Sequence, residues 1–193
     1  TKTKEKNRER TEKLILETVD KIIEETGFES LGVNLIATKA GVSKTLIYRY
    51  FNSIDGLISQ YILKNDFWIN IEPNIVSYNN INQFIKDMFD GQINLIRENK
   101  TLRKLHRWEL TCDNDHINRL RKLREDKGIM MIEDICNKAN ITKKEITAVA
   151  SIISSAITYL AILSDSCNEY NGNNIQSNEG WENIREGIHK IID

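Results

Sequence analysis

The sequence predicts an all-α protein of about nine helices, a small N-terminal three-helix domain followed by a larger helical one. Three observations predict it. The chain of 193 residues contains a single proline, Pro73. Strand-like alternation of apolar and polar residues is almost absent. Apolar residues recur instead at spacings of three and four, the repeat of a helix with one buried face.

Hydrophobic residues make up 40% of the chain and charged residues 28%, an ordinary balance for a soluble globular protein with one or two compact domains. The formal net charge of -1 is uninformative about a polyanionic partner, but its distribution is not. Residues 1–13 carry Lys2, Lys4, Lys6, Arg8, Arg10 and Lys13 against Glu5, Glu9 and Glu12, whereas residues 142–193 are acidic on balance. The basic bias lies at the N-terminal end, where nucleic acid would find it. No apolar run approaches the roughly 20 residues of a membrane span, and the N-terminus lacks an apolar signal core, so a cytoplasmic protein without membrane partners is expected. Cys112, Cys136 and Cys167 are odd in number and widely spaced, which suits free thiols in a reducing compartment.

The first helix is read from about Lys4 to Thr26, with Ile15, Val19, Ile22 and Ile23 on one face and Gly27 as its stop. Short helices follow at Val33–Ala40 and Lys44–Tyr50. Ser53 can cap a longer helix running to about Ile69. Pro73 and the Asn-rich segment 77–80 separate the first 70 residues from the rest. Further helices are read near 80–98, 101–111, 115–138, 142–168 and 179–192. The stretch 168–180, rich in Asn and Gly, reads as a loop.

Residues 33–51, VNLIATKAGVSKTLIYRYF, are the informative stretch. Ile36 and Ala40 form the inner face of the first short helix. Gly41 stands where the chain must turn sharply, and Val42 plugs the corner. Ser43 can cap the next helix, whose Ile47 and Phe51 point back to the core at a spacing of four. The outward face is left with Lys44, Thr45, Leu46, Tyr48, Arg49 and Tyr50. Two short helices across a glycine turn, the second exposing basic, hydroxyl and aromatic groups, form a helix-turn-helix.

These residues carry a resemblance. The first 70 residues resemble the DNA-binding domain of the TetR family of bacterial transcriptional regulators. The matching features are Ile15 through Ile23 before Gly27-Phe28, then Ile36-Ala37, Ala40-Gly41-Val42-Ser43, Tyr48-Arg49-Tyr50-Phe51 and Leu57. The resemblance implies a sequence-specific regulator, by family habit a repressor, that binds a palindromic double-stranded operator as a homodimer. No cofactor is expected. Tyr48 and Tyr50 resemble positions whose hydroxyls bind phosphate. Lys44, Thr45, Leu46 and Arg49 occupy positions facing the major groove, Ser43 opens that helix, and Asn34 sits where backbone or a base is often contacted. Three departures stand out. Gly32 replaces the usual Thr cap, Thr45-Leu46 replaces the common Gly-Thr pair, and Ile54 replaces a frequent Lys. Those at Gly32 and Ile54 motivate an alternative, a small-molecule binding or sequestering protein with a degenerate head. No nucleophile elbow, phosphate loop or zincin signature is present, and an enzyme is not expected.

The boundary is drawn loosely at the fourth helix, giving 1–52 as the DNA-binding domain and 53–193 as the ligand-binding and dimerisation domain. The helix at 142–168 is apolar around much of its circumference and must be covered on more than one side. Ile152, Ile153, Ala156, Ile157 and Leu160, with Trp181, Ile184 and Ile188 of the last helix, are the expected dimer face. Two copies of that helix pair would make a four-helix bundle; the other reading is that both helices are simply buried within one monomer. In the family this domain binds a small molecule that selects one spacing of the two reading heads, with the fourth helix as lever. Tyr61, Trp68, Phe84, Met88, Phe89, Trp108 and Tyr159 are candidate contacts for an unidentified effector. Arg97, Lys100, Arg103 and Arg107 form a cationic stripe that could face an anionic effector or solvent. Cys112 and His116 have a spacing that two metal ligands could use, with Asp113 and Asp115 between them. No second Cys/His pair accompanies them, so no metal site is expected.

Overall fold

The computed structural model describes residues 2–71, 80–111, 115–139 and 142–193. Its helices are α1 (Lys2–Thr26), α2 (Val33–Ala40), α3 (Lys44–Phe51), α4 (Ile54–Asn65), α5 (Phe67–Asn70), α6 (Ile81–Glu98), α7 (Lys100–Thr111), α8 (Asp115–Ala139), α9 (Lys143–Leu163) and α10 (Asn178–Ile192). A 3-10 turn at Phe28–Ser30 joins α1 to α2. The fold is all-α as expected, and nine of the helices described have eight residues or more. Pro73, residues 77–79, Cys112, Asp113 and the side chain of His116 lie outside the described residues.

Two elements differ from the sequence reading. The fourth helix does not continue to Ile69. It stops at Asn65, and Asp66 is buried in extended backbone, its N–H donating to Ile62 O at 2.9 Å. The helix expected to reach 168 stops at Leu163, where the Ser164 hydroxyl donates to Ala161 O at 2.8 Å. The polar stretch beyond it holds a small antiparallel hairpin, β1 (Glu169–Tyr170) with β2 (Asn173–Asn174). Its turn is Asn171-Gly172, both at positive φ of 49° and 79°. That is the dipeptide a two-residue hairpin turn favours, although two-residue strands leave no alternation to read.

The chain divides into two compact units. The first is Thr1–Asp66 with Lys104–Lys122, and the second is Phe67–Arg103 with Leu123–Asp193. The core of the first unit contains Ile15, Val19, Ile22 and Ile23 of α1, Ile36 of α2, Ile47 and Phe51 of α3, and Leu57, Tyr61 and Ile62 of α4. Lys104 donates to Ile23 O and Glu24 O at 3.0 and 2.6 Å, satisfying carbonyls at the end of α1. Trp108 stacks on Phe28, with ring centroids 5.0 Å apart.

In the second unit, Phe84, Phe89, Ile93 and Ile96 of α6 are buried, as are Ile153, Ile157 and Ala161 of α9 and Trp181 and Ile188 of α10. A polar rail joins α6 to α10 in antiparallel order. Lys86 meets Asp193 at 2.5 Å, Asp90 meets His189 at 3.0 Å, Asn94 meets Arg185 at 2.9 Å and Arg97 meets Asn178 at 2.8 Å. The steps of four, four and three on α6 are one helical turn each, so the rail fixes the register of the last helix.

By length and composition α9 could cross a membrane, since its most apolar window has a mean hydropathy of 2.0. This corrects the expectation that no stretch approaches that length. Only 17% of that window is buried within the chain, so a wide apolar face is left open.

Tyr61 illustrates how the first unit is held. Its hydroxyl donates to Asp20 Oδ1 at 2.5 Å, tying α4 to α1. Burial, and then this bond, push its pKa well above the usual tyrosine value. The neutral phenol is therefore the folded form. Its stabilising contribution is complete below about pH 10 and is lost as pH rises beyond that. Tyr61→Phe should lower stability by about 1–2 kcal/mol at neutral pH. It should also flatten the alkaline decline in a pH series of denaturant melts.

Candidate nucleic-acid interface

The interface is built from α2, α3 and the turn between them. Ile36, Ala37 and Ala40 bury one face of α2. Gly41 ends it at φ 65°, ψ 32°, a left-handed conformation that a Cβ disfavours. Gly41 N–H bonds Thr38 O at 3.3 Å and Val42 N–H bonds Ala37 O at 3.0 Å, so the last carbonyls of α2 are satisfied within the turn. Ser43 then caps α3, its hydroxyl oxygen accepting from Leu46 N–H at 3.2 Å. Ile47 and Phe51 are 0% and 2% exposed and fix the rotation of α3 about its axis. Gly32 gives α2 no side-chain cap, which leaves its first-turn amides open to solvent or to an anion.

This rotation settles where the expected contacts stand. Asn34, Ser43, Lys44, Thr45, Tyr48 and Arg49 are exposed, and Leu46 and Tyr50 are half-buried. Tyr48 is 45% exposed, so its ring belongs to the surface more than to the core. Asn34, Ala37, Thr38, Val42, Ser43 and Lys44 line a shallow concavity of about 420 Å³, which brings the start of α2 beside the start of α3. Arg8 of α1 and Arg49 each place a guanidinium 5.2 Å from the Tyr50 ring centroid. A projecting helix face with two cations, hydroxyls and an apolar Leu can donate to phosphates and base edges and touch a thymine methyl.

The corner after α3 contains Gly56, a residue that the sequence reading missed. Ser53 accepts from Gly56 N–H at 2.9 Å, capping α4. A Cβ on Gly56 would fall 2.1 Å from Phe51 O. The available signal was a glycine in the first turn of a helix, a place where it has no propensity advantage.

The seven candidate effector contacts do not form one group. Tyr61 and Trp108 belong to the first unit, one bonded to Asp20 and the other stacked on Phe28. In the second unit Phe84 clusters with Met131 and Ile135, and Trp68 and Met88 pack against them. Phe89 meets Trp68 edge-on at 6.4 Å. Tyr159 is 54% exposed and pairs with Tyr170 of the hairpin at 5.9 Å instead.

The expected dimer residues also divide. Ile153, Ile157, Trp181 and Ile188 are at most 7% exposed and pack inside the chain, which corrects their assignment to an outer face. An all-round apolar helix hides from sequence which side its own chain covers. Ile152 and Ala156 are exposed, and Leu160 and Ile184 are half-buried.

The cationic stripe is largely structural at two of its positions. Arg103 pairs with Asp165 at 2.9 Å and donates to Ile96 O and Arg97 O at the end of α6. Arg97 lies over Trp181, and burial lowers its pKa. Lys100 and Arg107 are exposed.

Comparison with known proteins agrees with this geometry. Residues 15–61 match the model of the family described as bacterial regulatory proteins, tetR family. No curated protein sequence matches. Solved structures resemble the chain over nearly all of its length. A candidate fatty acid metabolism regulator of Clostridium perfringens is 22% identical with a TM-score of 0.69, over 92% of this chain and 97% of that one. The fatty acid degradation regulator FadR from Bacillus halodurans is 12% identical with a TM-score of 0.70, over 94% of each chain. A candidate TetR-family regulator from Mesorhizobium loti is 16% identical with a TM-score of 0.67, over 96% of each. At these identities the likeness shows a shared fold. The matched helix-turn-helix supplies the rest: over residues 15–61 the chain is similar to the bacterial regulatory proteins of the tetR family, and it is a DNA-binding transcriptional regulator.

Proposed function

We propose that the protein is a cytoplasmic repressor that binds a palindromic operator as a homodimer and releases it when a small molecule occupies the region 53–193. The observation that carries this reading is the exposed row Lys44, Thr45, Tyr48 and Arg49 on a helix locked by buried Ile47 and Phe51. Lys44 and Arg49 would donate to guanine edges or phosphates, Tyr48 and Tyr50 to phosphates, and Leu46 would meet a thymine methyl. Asn34 and Ser43 would hold the backbone at the concavity. No catalytic step belongs to this reading.

The dimer would form through α9 and α10. Val149, Ile152, Ala156 and Tyr159 step by three, four and three along the open side of α9, and all four are exposed. Ile191 of α10 is 62% exposed as well. A second copy laid on this stripe would complete a four-helix bundle. The effector would be an apolar molecule held near Trp68, Phe84, Met88 and Phe89. Their lining is aromatic and sulfur-bearing, and two structural neighbours are described as regulators of fatty acid metabolism.

The test is a pair of single variants on the duplex that a genomic selection enriches. Lys44→Ala and Tyr48→Ala should each weaken binding about 10–30-fold while the dimer and its helicity persist. Wild-type affinity in both variants would remove α3 from the interface. The alternative, a sequestering protein with a degenerate head, would be favoured by effector binding without any specific DNA affinity.

A further inference from the structure

The helix-turn-helix presents its DNA-facing surface from α2 and α3, yet a cation from outside it stands beside α3. Arg8 lies on the basic first turns of α1, and its guanidinium is 5.2 Å from the centroid of Tyr50 on α3. Glu12, one turn along, accepts from Arg8 Nε at 2.7 Å. We propose that Arg8 is a DNA-backbone contact, aimed by Glu12 and Tyr50, and that the interface extends along the N-terminal turns of α1. The inference rests on the DNA-binding reading above.

The geometry favours this role in three ways. A carboxylate on Nε fixes the plane of the guanidinium and leaves the two terminal nitrogens to present a fork, the geometry that suits phosphate. The Tyr50 ring holds that plane against the reading helix, so the fork moves with α3. Arg8 is 57% exposed in its side chain, and the exposed cations Lys6 and Arg10 flank it in sequence. Among the described side chains of residues 6–13 the anions are Glu9 and Glu12, and Arg49 adds a further cation at the Tyr50 ring. A purely structural role, pinning α1 to α3, would need no free donors and would leave phosphate binding unchanged.

The experiment measures operator affinity against salt for wild-type protein, Arg8→Ala, Arg8→Lys and Lys44→Ala, using the duplex enriched by genomic selection. A dimer carries two copies of Arg8. Arg8→Ala should therefore reduce the steepness of log affinity against log salt by about 2 and weaken binding on the order of tenfold at moderate salt. Arg8→Lys should keep most of the slope but lose affinity, because an ammonium cannot use the fork or stack on Tyr50. Hydroxyl-radical footprints should lose protection at backbone positions flanking each half-site in Arg8→Ala. An unchanged slope and footprint in Arg8→Ala, alongside weakened Lys44→Ala, would overturn the Arg8 assignment alone. Failure of the wild-type protein to select any duplex would overturn the DNA-binding reading and this inference with it.

Discussion

Ile152→Asp should convert the proposed dimer into a folded monomer and lower operator affinity by about 100-fold or more, the avidity lost when two heads are unlinked. Ile152 is 66% exposed in the isolated chain, flanked on the same stripe by Val149 at 38% and Tyr159 at 54%. A contiguous exposed apolar face of this kind marks an association surface. On the opposite side of α9, Ile153, Ile157 and Ala161 are buried, and the Gln92 side chain donates to the Ser154 hydroxyl at 3.1 Å. The substitution touches none of these, so helicity and the melting transition of the protomer should survive. In a dimer it would bury a carboxylate without a partner, at a cost of several kcal/mol. Light scattering on the variant reads the mass directly. A variant that remains a dimer with wild-type operator affinity would exclude this face of α9 as the interface.

Gly56→Ala should be the most damaging conservative substitution in the reading head. The new Cβ would sit 2.1 Å from the Phe51 carbonyl oxygen and 3.4 Å from the Ser53 hydroxyl oxygen. The obstacle is backbone, so rotamer changes cannot relieve it. The corner between α3 and α4 must open instead, which disturbs the Ser53 cap and the seat of Phe51. The expected loss is about 3 kcal/mol, the upper end of the usual range for overpacking. That corresponds to a fall in melting temperature on the order of 10 °C. Gly128, whose Cβ position meets no described atom within 4 Å beyond its chain neighbours and its own helix backbone, is the natural control, and Gly128→Ala should be neutral or mildly stabilising. Equal melting of the two variants would show that the α3–α4 corner is not tightly held.

The two effects arise at different levels of structure, and the sequence reveals those levels unevenly. The turn at Gly41, the Ser43 cap and the inward pair Ile47 and Phe51 are set by residues within one or two turns of each other. They were legible, and the bounds of α2 were read as they stand. The end of α4 was not, because a buried Asp66 stops it and burial is a long-range property. The open side of α9 was hidden for a related reason. Its composition announces that several sides are covered, but not which neighbour covers which. Aromatic spacing likewise says nothing about compact units, so it sets Tyr61 and Trp108 beside Phe84 although they pack elsewhere. The Arg8–Tyr50 contact joins residues 42 positions apart and left only a general basic bias as its trace.

Whether α3 reads DNA is tested most directly by selection of fragments from genomic DNA with the purified protein. The expected result is enrichment of a palindrome whose half-sites lie about one helical turn apart, roughly 34–36 Å centre to centre, bound less tightly as salt rises. A selection that enriches no palindrome, with retention equal on all fragments, would contradict it.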